Sequence, residues 1–187
     1  MLTLKPISFS DRRWKQISDL YASAFPKEEQ MPFGLTRLAT LTRRGLMLCG
    51  MDEETFVGFM SLLTNGDAVY LFYFALTEEK RGQGYGTKML QMLREMYPHH
   101  RIFLAREQLD ETAANYAQRK RRHAFYLRGG LVDYPLYIRE GDVEFDVMGC
   151  GGLPTAEEYD AILRGWGTRL AVKHFNMRLY DKVPDQH

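Results

Sequence analysis

Residues 68–90 read "AVYLFYFALTEEKRGQGYGTKML": an uncharged run, a short charged stretch, then Gly82, Gly84 and Gly86 within five positions. The run reads as a hydrophobic strand, rich in the aromatic and branched residues that suit a pleated surface. After the glycines, Met89, Leu90, Leu93, Met96 and Tyr97 recur at helical spacing until Pro98. Glycine inside an element costs roughly 0.5–1 kcal/mol relative to alanine, so a cluster of them implies a local requirement. A strand-to-helix turn leaves free backbone N–H groups beside the positive end of a helix, and side chains would keep an anion from reaching them. An anion cradle fits, and so does an ordinary tight turn. The Walker type is excluded because no Gly-Lys-Ser/Thr closes the loop. The G-x-G-x-x-G dinucleotide fingerprint is excluded because these glycines are spaced by two throughout.

The rest of the chain builds around that unit. A first strand precedes "DRRWKQISDLYASAFP", where Trp14, Ile17, Leu20, Tyr21 and Ala24 share a helical face, and a second helix is expected over 33–44, stopped by Gly45. "LMLCG", "TFVGFMSLL" and "AVYLFYFAL" read as strands, with turns at 52–54 and at Asn65-Gly66-Asp67. "RIFLA" reads as a short buried strand. Residues 111–128 read as a helix with Asp110 as cap and Gly129-Gly130 as stop, 131–149 as a hairpin, and 155–166 as a tail helix. The expected class is α/β, one mixed central sheet flanked by helices.

At 187 residues the chain suits one domain, with 1–150 as its body and 151–187 as a C-terminal helical extension packed on it. Lys plus Arg number 25 against 24 Asp plus Glu, so no global field points to nucleic acid or membrane as a partner. No apolar run approaches the ~20 residues of a bilayer span. Cys49 and Cys150 are the only cysteines, in apolar surroundings that suit buried reduced thiols, which favours a cytoplasmic protein. His99-His100 lack neighbouring ligands at metal spacing, so no metal is expected. The basic run "QRKRRH", 118–123, reads as a solvated helical face, a contact for a phosphate, or, less simply, an RNA-binding element. Of the aromatic cluster Tyr70, Phe72, Tyr73 and Phe74, one face reads as core and the other could line an acceptor pocket.

Arg81-x-x-Gly84-x-Gly86, after a hydrophobic strand and opening an amphipathic helix, resembles the R/Q-x-x-G-x-G/A signature of the GNAT N-acyltransferase superfamily. "AFYLRGGL" resembles the family's Y-x-x-x-G-[F/L] segment through Tyr126, Gly130 and Leu131, and Asn115 is similar to an asparagine many members carry near the start of the same helix. The Asn-to-Tyr interval is longer here than usual. The resemblance covers residues 2–150 and implies a GNAT-like fold with a splayed strand pair. It implies acetyl-CoA as acyl donor, bound through its pyrophosphate by Arg81, Gly82, Gln83, Gly84, Tyr85, Gly86 and Thr87. Its pantetheine arm would pair with the strand edge from Phe72 through Phe74, Ala75 and Leu76. Arg122 in the basic run would meet the 3′-phosphate.

The implied reaction is direct attack of a primary amine, on a small molecule or a protein, upon the thioester, and a homodimer is compatible with it. Tyr126 takes the place of the family's acid, since a phenol near pKa ~10 can protonate a leaving thiolate near ~8.5. Members that use a strand glutamate as base place it where this chain has Tyr70. Glu107, at the end of "RIFLARE", is the substitute base, with Glu28 and Glu29 as alternatives. The missing glutamate also leaves room for a non-catalytic acyl-CoA-binding domain on the same scaffold.

Overall fold

A computed structural model of the chain describes residues 1–27, 30–42, 44–166 and 177–182. In chain order the strands are β1 (Leu2–Pro6), β2 (Gly45–Asp52), β3 (Thr55–Asn65), β4 (Ala68–Leu76), β5 (Arg101–Glu107), β6 (Val132–Glu140), β7 (Val143–Cys150) and β8 (Arg178–Asp181). The helices are α1 (Trp14–Ala24), α2 (Phe33–Ala39), α3 (Tyr85–Met96), α4 (Tyr116–Arg128) and α5 (Ala156–Trp166). The strands form one mixed sheet in the order β1-β2-β3-β4-β5-β7-β6-β8. Among the described residues no helix is long and apolar enough to cross a membrane.

By contact density the chain divides into two compact units, 1–64 with 71–98 and 65–70 with 99–187, so that β4 contributes to both. In the first unit, α1 buries Trp14, Ile17, Leu20 and Tyr21, the face its periodicity predicts. The Tyr21 ring meets Tyr73 of β4 edge-on at 4.9 Å. Met89 of α3 lies so close to Gly50 of β2 that a Cβ there would stand 2.9 Å from its sulfur. Cys49 on β2 is fully buried, and burial pushes its thiol up to about 11.

In the second unit, β4 and β5 run parallel over the register Ala68↔Arg101 to Tyr70↔Phe103, and β7 pairs antiparallel with both β5 and β6. Tyr70 stacks on Phe103 at 4.9 Å and meets Tyr159 of α5 edge-on at 5.5 Å. These rings form the centre of that unit's core.

Three sequence expectations need correction. α2 stops at Ala39 rather than at 44, because the Thr40 and Thr42 hydroxyls take the carbonyls of Arg37 and Ala39, each at 2.7 Å. Hydroxyls that bond backward compete with helix continuation. α4 starts at Tyr116 rather than 111, since Asp110 Oδ1 accepts from Thr112 N at 2.9 Å and Oγ1 at 2.6 Å, closing a local turn instead of capping a helix. The segment after α5 adds a strand, β8, which pairs with β6 and which four residues of sequence did not announce. The tail helix itself is present as α5.

Candidate active site

The glycine turn follows a 3-10 turn, Glu78–Lys80, and leads directly into α3. Gly82 and Gly84 adopt φ of +72° and +81°, a region costly for any L side chain, and a Cβ on either would meet nothing within 4 Å. The space over the turn is therefore open. Lys88 N–H bonds back to Gly84 O at 3.1 Å. Among the described residues the N–H groups of Gly82 to Thr87 make no backbone hydrogen bond, as expected at a helix start. Gly86 differs from its neighbours: it is buried with Met89, Leu90 and Leu93, so its bareness also serves helix packing. Arg81 Nε donates to Leu76 O at 3.2 Å and Gln83 Nε2 to Glu79 O at 2.5 Å, folding both side chains onto the backbone that precedes them. Thr87 is exposed. Phe72, Phe74 and Leu76 are half-buried, whereas Tyr73 and Ala75 between them are buried, the alternation of a strand with two unlike faces.

The second unit brings Glu107, Asn115 and Arg122 together. Glu107 ends β5, and its Oε1 accepts from Asn115 Nδ2 at 2.8 Å and lies 3.2 Å from Arg119 Nε. Its Oε2 accepts from Arg122 Nη1 at 2.7 Å. Arg119 also donates to Asn115 Oδ1 at 2.7 Å and to Gln108 O at 2.9 Å. Asn115, Arg119, Arg122 and Tyr126 are spaced by four, three and four, so they form one ridge along α4. Sequence reasoning missed Arg119, although its helical spacing from Asn115 and Arg122 was the available signal. Tyr126 is 9% exposed, and its hydroxyl has no hydrogen-bond partner among the described residues. Burial raises its phenol above the ordinary value, while the Arg122 cation acts in the opposite direction.

Of the other candidates, Tyr70 is a core residue, 1% exposed, and burial pushes its phenol well above the ordinary range. Glu28 and Glu29 lie outside the described residues. A further network went unread in the sequence. Arg106, buried on β5, lies 2.9 Å from Asp133 Oδ1 and 3.1 Å from Asp146 Oδ2, and His123 Nε2 bonds Asp133 Oδ2 at 2.8 Å. Among the described residues no group of His, Cys, Asp and Glu could hold a metal ion.

The Acetyltransferase (GNAT) family matches residues 14–126, and the protein belongs to that family. Among solved structures, a protein from Bacteroides thetaiotaomicron assigned to the GNAT family is 25% identical with a TM-score of 0.71, over 92% of this chain and 98% of that one. An aminoglycoside 6′-N-acetyltransferase in complex with coenzyme A is 16% identical with a TM-score of 0.64, over 82% and 98%. The ribosomal-protein-S18-alanine N-acetyltransferase of Escherichia coli is 17% identical with a TM-score of 0.61, over 83% and 97%. A comparison with curated proteins finds no match.

Proposed function

We propose that the protein is a cytoplasmic N-acetyltransferase that moves an acetyl group from acetyl-CoA to a primary amine of a small molecule or a protein, with residues 1–150 carrying the reaction. The observation that carries this reading is the turn at 81–87, open above Gly82 and Gly84, whose N–H groups at the start of α3 make no backbone hydrogen bond among the described residues. Those groups suit a pyrophosphate. Two structural neighbours, one acting on aminoglycosides with coenzyme A bound and one on a ribosomal protein, are consistent with either class of acceptor.

Acetyl-CoA supplies a thioester carbonyl open to attack by a neutral amine. Residues Phe72 to Leu76 offer their strand backbone to the pantetheine arm, and Asn115 and Arg122 extend the contacts to the rest of the cofactor. Tyr126 gives its hydroxyl proton to the departing sulfur as the N–C bond forms and the C–S bond breaks, its electron pair staying on sulfur. Glu107 enters as a fixed anion. This carboxylate accepts from Asn115 Nδ2 and Arg122 Nη1 and lies 3.2 Å from Arg119 Nε, contacts that tie β5 to α4 and that taking up a proton would disturb. We therefore assign Glu107 to holding α4 and pass the amine proton to water.

The same occupancy of Glu107, with Tyr70 buried at the position of the usual strand glutamate, favours one alternative: a non-catalytic acyl-CoA-binding domain. Thiol release from acetyl-CoA with a panel of amines separates the two. Turnover is expected, together with ~2.7 kcal/mol of added stability at 100 times the dissociation constant of acetyl-CoA. Binding without turnover would select the alternative, and melts unchanged by millimolar acetyl-CoA would refute both.

A further inference from the structure

Tyr85 opens α3 between two cradle glycines, and its hydroxyl reaches the end of β2. The hydroxyl donates to Asp52 Oδ2 at 2.5 Å. Asp52 is the last residue of β2, at the tight turn to β3 where Glu53 takes φ +54°. The Asp52 carboxyl is held below its usual range by the Tyr85 hydroxyl and then by the Met1 amino group. Two ammonium groups flank the Tyr85 ring: Lys80 Nζ lies 5.2 Å and Lys88 Nζ 6.0 Å from its centroid. Both distances are within cation–π reach. Lys80 ends the 3-10 turn before the glycines and Lys88 stands on the first turn of α3 after them, so the two cations bracket the turn in sequence. Neither is within salt-bridge distance of a carboxylate among the described residues, which leaves both charges available.

A helix start offers only about +0.5 of an elementary charge, too little to balance a pyrophosphate. Lysine ammonium groups are the compact point charges that phosphate sites recruit for that purpose. We propose that Tyr85, tethered by Asp52, is the platform that sets Lys80 and Lys88 beside the glycine turn, where they neutralise the phosphates of coenzyme A. Asp52 and Tyr85 are then positioning residues, and Lys80 and Lys88 are cofactor-binding residues. This inference rests on the proposed use of the turn for coenzyme A.

Calorimetric titration with coenzyme A and with pantetheine, which carries no phosphate, tests it. Tyr85→Leu removes platform and tether, and should weaken coenzyme A ~10-fold while pantetheine stays within about twofold. Tyr85→Phe keeps the ring and loses the tether, and should weaken coenzyme A about threefold, as should Asp52→Asn. In a Lys80→Gln/Lys88→Gln background, Tyr85→Leu should add almost nothing, since its effect runs through those lysines. Equal loss of both ligands in Tyr85→Leu would make the tyrosine merely structural and overturn the proposal. So would an undiminished Tyr85→Leu effect in the double-lysine background, or parental affinity in every Tyr85 and Asp52 variant. If the parent protein binds coenzyme A no better than pantetheine, it is the assignment of the turn that fails, a result distinct from all of these.

Discussion

At residue scale the proposed roles of Tyr126 and Glu107 turn on how much of each side chain is already engaged. The Tyr126 hydroxyl has no partner among the described residues, whereas Glu107 accepts from Asn115 and Arg122 and is in ion-pair contact with Arg119. Tyr126→Phe keeps the ring and its packing, so acetyl-CoA affinity should stay within a few-fold while kcat falls at least about tenfold, the low side of general acid catalysis. Steady-state kinetics beside calorimetry checks this, and parental turnover would strip Tyr126 of its role. Glu107→Gln leaves two guanidinium groups without their anion and should cost roughly 1–3 kcal/mol of stability, read from denaturant melts. Its effect on kcat should shrink in the Tyr126→Phe background if Glu107 acts by holding α4. Multiplying losses would return the base to Glu107. The candidate residues were legible from spacing, but their partners were not. Which donors reach Glu107 depends on where β5 ends relative to α4, and that is a fact of tertiary structure.

At the scale of elements, periodicity located α1, α3, β4 and α5 well, since each carries a full turn or face of apolar residues. It misjudged the ends of α2 and α4, where short polar side chains decide the outcome by bonding to nearby backbone. The entry to α1 is of the same kind. Asp11 accepts from Arg13 N at 2.9 Å and from Arg13 Nε at 2.8 Å. The Arg13 guanidinium outweighs burial and lowers the Asp11 carboxyl from 3.8 to about 2. A carboxyl depressed in the folded state stabilises the fold above its unfolded value, and that contribution fades as pH falls toward the folded one. Thermal stability should therefore decline between about pH 4 and pH 2 in part through Asp11. Asp11→Asn should be less stable at neutral pH and show a shallower decline across that window, and an acid limb identical to the parent's would contradict it.

For the molecule as a whole, class and family were readable from the order of elements and two motifs, and the family match over 14–126 bears them out. The eighth strand was not, because four residues give no usable period and its pairing with β6 is non-local. Net charge of +1 likewise says nothing about where cations are spent: Arg119 and Arg122, in a basic run that reads as a solvated face or a phosphate contact, are both paired with Glu107. Cys49 has a practical bearing on handling the intact protein. With its thiol pushed up to about 11, only on the order of one molecule in 10⁴ carries the thiolate at pH 7, and the side chain is enclosed as well. It should be indifferent to peroxide and to alkylating reagents for as long as the chain stays folded. Under native conditions iodoacetamide should modify Cys150 ahead of Cys49, and both should react once denaturant is added. Mass spectrometry of the labelled peptides would then make Cys49 a clock that ticks only when the first unit opens.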